Sequence, residues 1–178
     1  MSDIHMPFPT VPSLLASPLR LVPLAPLAQA LTVLARRLVA HHPGLISRLG
    51  PYVTSSFAIA PTDLPITLLL RPHPTAMRVT LHREPPAANA RIAGPLSALL
   101  GLVHGTWDGD ALFFSRDLVI DGDTSAALAL RNAIDDCELD LGAEIAGFSG
   151  PFRHLLTPFI DLAERRTGMP LRRADARP

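Results

Sequence analysis

Three short motifs in this sequence have residue types that could do chemistry, but none has the spacing that the chemistry needs. Two are Asp-Gly-Asp triplets, at residues 108–110 and 121–123. A calcium loop continues with further oxygen ligands and a closing Glu, and neither triplet does so. The third motif, Gly147-Phe148-Ser149-Gly150, lacks the spacing of a nucleophile elbow and has no predicted strand before it. The aspartates are therefore predicted to serve in turns and as a helix cap.

The remaining titratable residues give no stronger indication of a metal or catalytic site. Asp135, Asp136, Glu138 and Asp140 could bind a metal, but a solvated acidic helix end or a docking surface for a basic partner fits the same pattern. The seven histidines are scattered without metal-ligand spacing. We therefore expect no catalytic residue, no metal and no cofactor, in a protein that is not an enzyme.

The net charge of zero conceals three segments of alternating sign. Residues 1–100 carry eight arginines and three acids, residues 101–145 carry two and ten, and residues 146–178 carry six and three. A nucleic-acid-binding protein normally presents one dominant basic field, so this distribution argues against that class. The acidic face at 108–144 is instead a candidate docking surface for a protein partner.

The sequence contains no recognisable secretion signal or membrane span. The start lacks a basic n-region and is broken by prolines. The apolar stretch Leu21–Val39 is interrupted by Pro26, Arg36 and Arg37, which makes it too polar for a span. The single cysteine, Cys137, is predicted to be a small core residue, which suits a reducing compartment. We expect a cytoplasmic location, with peripheral contact at the inner membrane left open.

The first half of the chain predicts one helix followed by β-structure. Leucines at 27, 31, 34 and 38 predict a helix over Leu24–His42 that ends at Pro43-Gly44. The predicted strands are Phe57–Ala60, Ile66–Arg71, Met77–Arg83 and Ala90–Ala93. Apolar and polar residues alternate most regularly over Met77–Arg83, which predicts one buried face and one wet face.

The stretch Asp108–Leu141 predicts a core element. Its three parts are an apolar turn, a strand and a helix, at Ala111–Phe114, Arg116–Asp121 and Thr124–Cys137. Gly122 permits the positive φ that a tight strand-to-helix turn often needs, and Asp123 is placed to cap the helix. A shorter helix, opened by Pro95 and with apolar positions from Leu96 to Val103, is predicted before it.

The pattern divides the chain into three segments. Residues 1–23 form a Pro/Leu-rich extension, residues 24–145 a domain, and residues 146–178 an amphipathic helical segment with an Arg-rich tail. Both end segments combine apolar residues with arginine, most clearly over Phe152–Arg173. Each could pack on the domain or contact an anionic bilayer, and the sequence leaves both interpretations open.

The run Leu112–Thr124, LFFSRDLVIDGDT, resembles the signature of the sterol carrier protein 2 family, in which an Ala-Phe turn and a hydrophobic strand lead through Gly-Asp into a long helix. Within the family it is more similar to the UbiT branch of bacterial ubiquinone-biosynthesis accessory factors, which shares this core, Arg131-Asn132 and the Asp135-Asp136 pair. Phe57–Pro65 is similar as well, and the resemblance covers about residues 25–145. It implies an α+β fold: a mixed, mostly antiparallel sheet of about five strands, covered by helices on one face, with an apolar cavity between.

The implied cavity turns the surplus of aliphatic residues into a candidate lipid site. Burying apolar surface contributes about 25 cal/mol per Å², so an acyl or prenyl chain could be held without any catalytic group. The candidate lipid-binding residues are Ile66, Leu68, Leu70, Met77, Val79, Leu81, Ile92, Leu96, Leu99, Leu100, Val103, Phe113, Phe114, Leu130, Ile134, Phe152, Leu156 and Phe159.

The resemblance implies a non-catalytic lipid carrier, an accessory factor in oxygen-independent ubiquinone biosynthesis. Its ligand would be a polyprenylated quinone precursor, a phospholipid or a fatty acid, and its partners would include pathway proteins such as UbiU–UbiV. Two alternatives stay open: a protein-interaction module with a filled core, and a small lipid-modifying enzyme. The aliphatic character of the inward-facing strand positions argues against the enzyme.

Overall fold

A computed structural model describes residues 10–12, 20–21, 23–104 and 117–136, apart from the side chains of residues 103 and 104. Within these ranges the chain forms four α-helices, one 3-10 helix and five strands. The helices are α1 (Leu24–His41), α2 (Gly44–Leu49), the 3-10 helix (Gly50–Thr54), α3 (Leu96–His104) and α4 (Thr124–Asp135). The strands are β1 (Phe57–Pro61), β2 (Thr67–Arg71), β3 (Arg78–His82), β4 (Ala90–Gly94) and β5 (Val119–Gly122).

Some predictions fall outside these ranges. The apolar turn Ala111–Phe114, Cys137 and the segment Phe152–Arg173 are not among the described residues. Of the helices that are described, none is both long and apolar enough to cross a bilayer.

The strands form one sheet in the order β3-β2-β1-β4-β5. The central pair, β1 and β4, is parallel. The other three pairs are antiparallel. The predicted α+β fold with a mixed, mostly antiparallel five-stranded sheet is therefore confirmed.

Asn89 fixes the point at which the parallel pair begins. Its side-chain oxygen Oδ1 accepts hydrogen bonds from the backbone N–H and the hydroxyl of Ser56, each at 2.8 Å. The Asn89 backbone N–H donates to the Ser56 carbonyl at 3.0 Å, and the Asn89 carbonyl accepts from the N–H of Asp123 at 2.9 Å. One residue thus connects the entry to β1, the entry to β4 and the exit from β5.

The turn from β5 into α4 has the predicted chemistry. Gly122 has a φ of +83°, and a Cβ there would collide with the carbonyl oxygen of Asn89. Asp123 precedes the helix, and its Oδ1 accepts a hydrogen bond of 2.9 Å from the N–H of Ala126. The predictions for Gly122 and Asp123 are confirmed.

Helix α1 covers the outer edge of the sheet. The Thr32 hydroxyl lies 2.9 Å from the Val79 carbonyl and accepts from the Val79 N–H at 3.1 Å. Arg36 Nε donates to the Met77 carbonyl at 3.0 Å. These contacts satisfy backbone groups of β3 and of Met77 just before it, which an edge strand would otherwise present to another chain.

The buried face of α1 differs from the predicted one. The predicted leucine positions 27, 31, 34 and 38 are half-buried, and the buried residues of the helix are Ala35 and Val39. Apolar periodicity along the helix indicates the leucines. It contains no signal that the hydroxyl of Thr32 and the guanidinium of Arg36 bind the backbone at the edge of the sheet. That contact rotates the helix towards Thr32 and Arg36, and the small Ala35 allows the close approach.

Thr32→Val should destabilise the protein, because valine keeps the shape of threonine but leaves both Val79 backbone groups without their partner. We expect the free energy of unfolding, measured by urea denaturation, to fall by about 1–3 kcal/mol. Thr32→Ser, which retains the hydroxyl, should lose clearly less. Equal stability of Thr32→Val and the wild type would show that the edge does not depend on this hydroxyl.

Candidate functional site

The buried apolar residues of the described ranges form two separate clusters. The main cluster joins α2, α3 and α4 to β1 and β4, and its members are Leu45, Leu49, Phe57, Ala90, Ile92, Ala98, Leu99, Leu102, Leu118, Ala126, Ala127, Leu130 and Ala133. The edge cluster joins α1 to β3 through Ala35, Val39, Met77 and Val79. A domain usually has one contiguous core with smaller satellite clusters, and the edge cluster is such a satellite beside the main cluster.

Apolar surface that is only half-buried separates the two clusters. Ile46 and Leu70 contact both clusters, whereas Ile59 packs against the main cluster and Leu68 against the edge cluster. We call Ile59, Leu68 and Leu70 the central strip, since they lie on neighbouring positions of β1 and β2, the middle of the sheet.

Accessibility varies along the helix-covered face of the sheet. One row of paired residues runs Leu81, Leu68, Ile59, Ile92 and Ile120. Leu81 and Ile92 are 8% and 4% exposed, whereas Leu68 and Ile59 between them are only half-buried, as is Ile120 in the edge strand β5. Among the described helices, α1 packs mainly against β3, and α3 and α4 against β4 and β5, so the strip lies between the two groups of helices.

The structure brings together part of the predicted lipid-binding set. The main cluster and the residues packed on it include Leu70, Ile92, Leu99, Leu130 and Ile134. The edge cluster and its neighbours include Leu68, Leu70, Met77 and Val79. The predicted residues that belong to neither cluster in the described ranges are Ile66, Leu81, Leu96 and Leu100. Those whose side chains lie outside the described residues are Val103, Phe113, Phe114, Phe152, Leu156 and Phe159.

Ile59 and Ile46 were missed by the sequence analysis. The strand Phe57–Ala60 was predicted, but it is too short for alternation to show which face is covered. The pairing of Ile59 with Leu68 places both on the helix-covered face. Ile46 belongs to a short helix whose position over the sheet has no signal in the sequence.

Two surface cavities flank the turn between β2 and β3. The first, of about 450 Å³, is largely apolar and is lined by Arg36, Val39, Ala40, Pro43, Ile46, Ser47, Pro74, Thr75 and Met77. Through Ile46 it adjoins both clusters. The second, of about 610 Å³, is lined by Val53, Thr54, Ser56, Arg71, Pro72, His73, Pro74, Ala76 and Arg78. Since the first cavity borders both clusters, it is a candidate entrance for an apolar chain.

Asp63 is a structural residue that the spacing did not reveal. Its Oδ1 accepts from the backbone N–H of Leu96 at 3.0 Å, and its Oδ2 accepts from that of Val11 at 2.8 Å. A carboxylate at the start of a helix satisfies an orphan donor and interacts favourably with the helix dipole. Asp63 thereby ties both α3 and residues 10–12 to the turn after β1.

Several carboxylates of the predicted acidic face have partners within the chain. Asp121 pairs with Arg91 at 3.3 Å, Asp135 with Arg131 at 2.7 Å, and Asp136 with Arg48. Such partly exposed pairs contribute little stability, but they balance charge that a docking partner would otherwise neutralise. The docking surface at 108–144 stays a prediction. Over the described part of the chain, no group of three or more His, Cys, Asp or Glu residues is placed to hold a metal ion.

Truncation of two leucines should distinguish packed core from open strip. Leu130 is 4% exposed inside the main cluster, so Leu130→Ala should lower the free energy of unfolding by about 2–5 kcal/mol. Leu68→Ala removes the same atoms beside accessible space and should cost about 1 kcal/mol. Urea denaturation measures both. Equal losses would indicate that Leu68 is packed as tightly as Leu130.

Comparison with known proteins identifies the family to which this chain is similar. The model of the SCP-2 sterol transfer family matches residues 42–135. The fold is similar to that of a UbiJ-SCP2 ubiquinone synthesis protein, with a TM-score of 0.52 and 18% identity over 66% of this chain and 96% of that chain. No curated protein matches the sequence.

Two further solved structures are similar at lower scores. The apo form of sterol carrier protein 2 from Yarrowia lipolytica has a TM-score of 0.44 and 13% identity, over 61% of this chain and 89% of that one. The sterol carrier protein domain 2 of Helicoverpa armigera has a TM-score of 0.43 and 14% identity, over 60% and 83%. Because the family model matches more than half of the sequence, the chain belongs to the SCP-2 sterol transfer family.

Proposed function

We propose that this protein is a non-catalytic lipid carrier that shelters the apolar chain of its ligand against the central strip. The observation that carries the proposal is the half-buried aliphatic surface of Ile59, Leu68 and Leu70, which lies between the two clusters of the described ranges. Membership of a sterol transfer family supports the same class of ligand.

The energetics of such a site are favourable without any polar contact. Apolar burial contributes about 25 cal/mol per Å², and an acyl or prenyl chain offers several hundred Å². Association costs several kcal/mol in lost freedom, which leaves a useful net affinity. The residues of the strip are all aliphatic, so they select for apolar character and chain shape more than for a particular functional group.

We further propose that the carrier serves ubiquinone biosynthesis, with a polyprenylated quinone precursor as its ligand and phospholipid or fatty acid as the other candidates. The resemblance of Leu112–Thr124 to the UbiT branch supports this pathway. The likeness of the fold to that of a UbiJ-SCP2 ubiquinone synthesis protein is consistent with it. Pathway proteins such as UbiU–UbiV are the proposed partners, and the two end segments are the proposed contacts with a bilayer.

Leu68→Trp should lower lipid uptake while leaving the fold intact, because the indole would occupy the accessible space beside the strip. The test uses the full chain with a fluorescent fatty acid and a fluorescent prenylated quinone analogue, with circular dichroism as the folding check. We expect affinity for both probes to fall by about tenfold, equivalent to about 1.4 kcal/mol. Lipid extracted from the purified wild-type protein, identified by mass spectrometry, should contain a prenylated or acyl compound.

Val119→Trp is the matched control for this experiment. Val119 is 53% exposed and alternates to the sheet face opposite Ile120, so the same indole there should leave uptake unchanged. A filled core would instead give a Leu68→Trp protein destabilised by about 1–3 kcal/mol through overpacking, and a wild-type protein that carries no lipid. That combination would favour a protein-interaction module over a carrier.

A further inference from the structure

The hairpin of β2 and β3 places two arginines directly opposite each other. Arg71 and Arg78 are register partners in the antiparallel ladder, so their side chains project from the same face of the pair. The backbone groups of Val79 turn outward to Thr32, which makes Arg71 and Arg78 a hydrogen-bonded pair with Cα atoms about 5.5 Å apart. Both arginines are exposed, and both line the cavity of about 610 Å³.

The paired arginines carry positive charge that the described residues do not neutralise. Like charges opposite each other in a sheet are destabilising, so the arrangement costs stability unless an anion is present. Arg48 and Arg91 form ion pairs, and Arg36 donates to a carbonyl. In the described ranges, by contrast, neither Arg71 nor Arg78 makes an ion pair or a hydrogen bond, and the cavity has no acidic residue in its lining.

A third group in the cavity is held in a defined orientation. His73 Nδ1 accepts hydrogen bonds from the backbone N–H groups of Thr75 and Ala76, at 3.2 and 3.0 Å. Because Nδ1 accepts these two hydrogen bonds, it does not carry the proton of the neutral ring. The proton is therefore assigned to Nε2, which can act as a hydrogen-bond donor. Thr54 lines the same cavity and has a hydroxyl group that can donate.

We propose that this cavity, which we call the hairpin cleft, binds a phosphate group. Two guanidinium forks on one face can grip a tetrahedral oxyanion through paired N–H···O bonds, and a phosphate bound there removes the repulsion between them. A phospholipid headgroup and a soluble phosphate ester share this chemistry. The proposal is independent of the lipid site, because the cleft is built from residues that the central strip does not use.

The test compares the wild type with Arg71→Gln, Arg78→Gln and the double variant, using inorganic phosphate as the probe in calorimetric titrations. Each single change should weaken phosphate binding by about tenfold, as expected for the loss of a charge-assisted hydrogen bond. Arg78→Lys keeps the charge but loses the fork, and should bind more weakly than the wild type. Arg48→Gln removes an equal charge elsewhere and is the matched control, expected to bind like the wild type.

Thermal stability provides a second readout that does not depend on titration. Phosphate should raise the Tm of the wild type and of Arg48→Gln, but not that of the double variant. In phosphate-free buffer each single arginine variant should melt at or above the wild-type Tm, because the repulsion is removed. Equal phosphate binding by the wild type and the double variant, or an equal loss in Arg48→Gln, would overturn the proposal.

Vesicle flotation distinguishes the two sources of the phosphate group, a lipid headgroup and a soluble phosphate ester. If vesicles of phosphatidylcholine with phosphatidic acid bind the wild type better than the double variant, and vesicles of phosphatidylcholine alone do not, the cleft takes a lipid headgroup. If flotation is unchanged while phosphate binding is lost, the ligand is a soluble phosphate ester. Either result supports the cleft, and neither depends on whether the central strip holds a lipid chain.

Discussion

The contact between Asn89 and Ser56 determines how the rest of the sheet is arranged. By holding the starts of β1 and β4 together it sets the parallel register of the central pair, Phe57 opposite Ala90 and Ile59 opposite Ile92. A parallel pair needs a crossover connection between its strands. Residues 62–89 form this connection, and they include the β2–β3 hairpin, which lies on one side of β1. Strand β5 pairs with β4 on the other side of the sheet. The Asn89 carbonyl also accepts a hydrogen bond from the backbone N–H of Asp123, in the turn that follows β5.

This division of the sheet explains where the accessible surface lies. Helix α1 is bound to β3 by hydrogen bonds between the Thr32 hydroxyl and the backbone of Val79. Helix α4 packs close to β4 because its buried residues Ala126, Ala127 and Ala133 are small. Each group of helices is thus fixed to one flank of the sheet. The larger side chains between them, Ile59 and Leu68, keep some exposed surface, whereas Phe57 at the start of β1 is fully covered within the main cluster.

The elements that the sequence predicts well are those whose signal is local. Gly122 and Asp123 determine a turn and a cap over a few residues, and the alternation of β3 gives its buried and wet faces directly. The face of α1 was predicted less well because its strongest contacts join side chains to a distant backbone edge. The opposition of Arg71 and Arg78 could not be predicted either, since it depends on the hairpin register and on the length of the turn between them. Local patterns alone do not determine the overall fold, which was predicted from the resemblance to the sterol carrier protein 2 family.

Strand alternation separates the proposed lipid site from the proposed phosphate site within a single strand. Leu70 and Arg71 are consecutive in β2, so their side chains leave opposite faces of the sheet. Leu70 belongs to the central strip on the helix-covered face, and Arg71 belongs to the hairpin cleft. A one-residue slip of the β2–β3 register would move Leu68 and Leu70 away from the helix-covered face and would also part the two arginines. The same pairing therefore specifies both proposed sites, although a ligand at one need not contact the other.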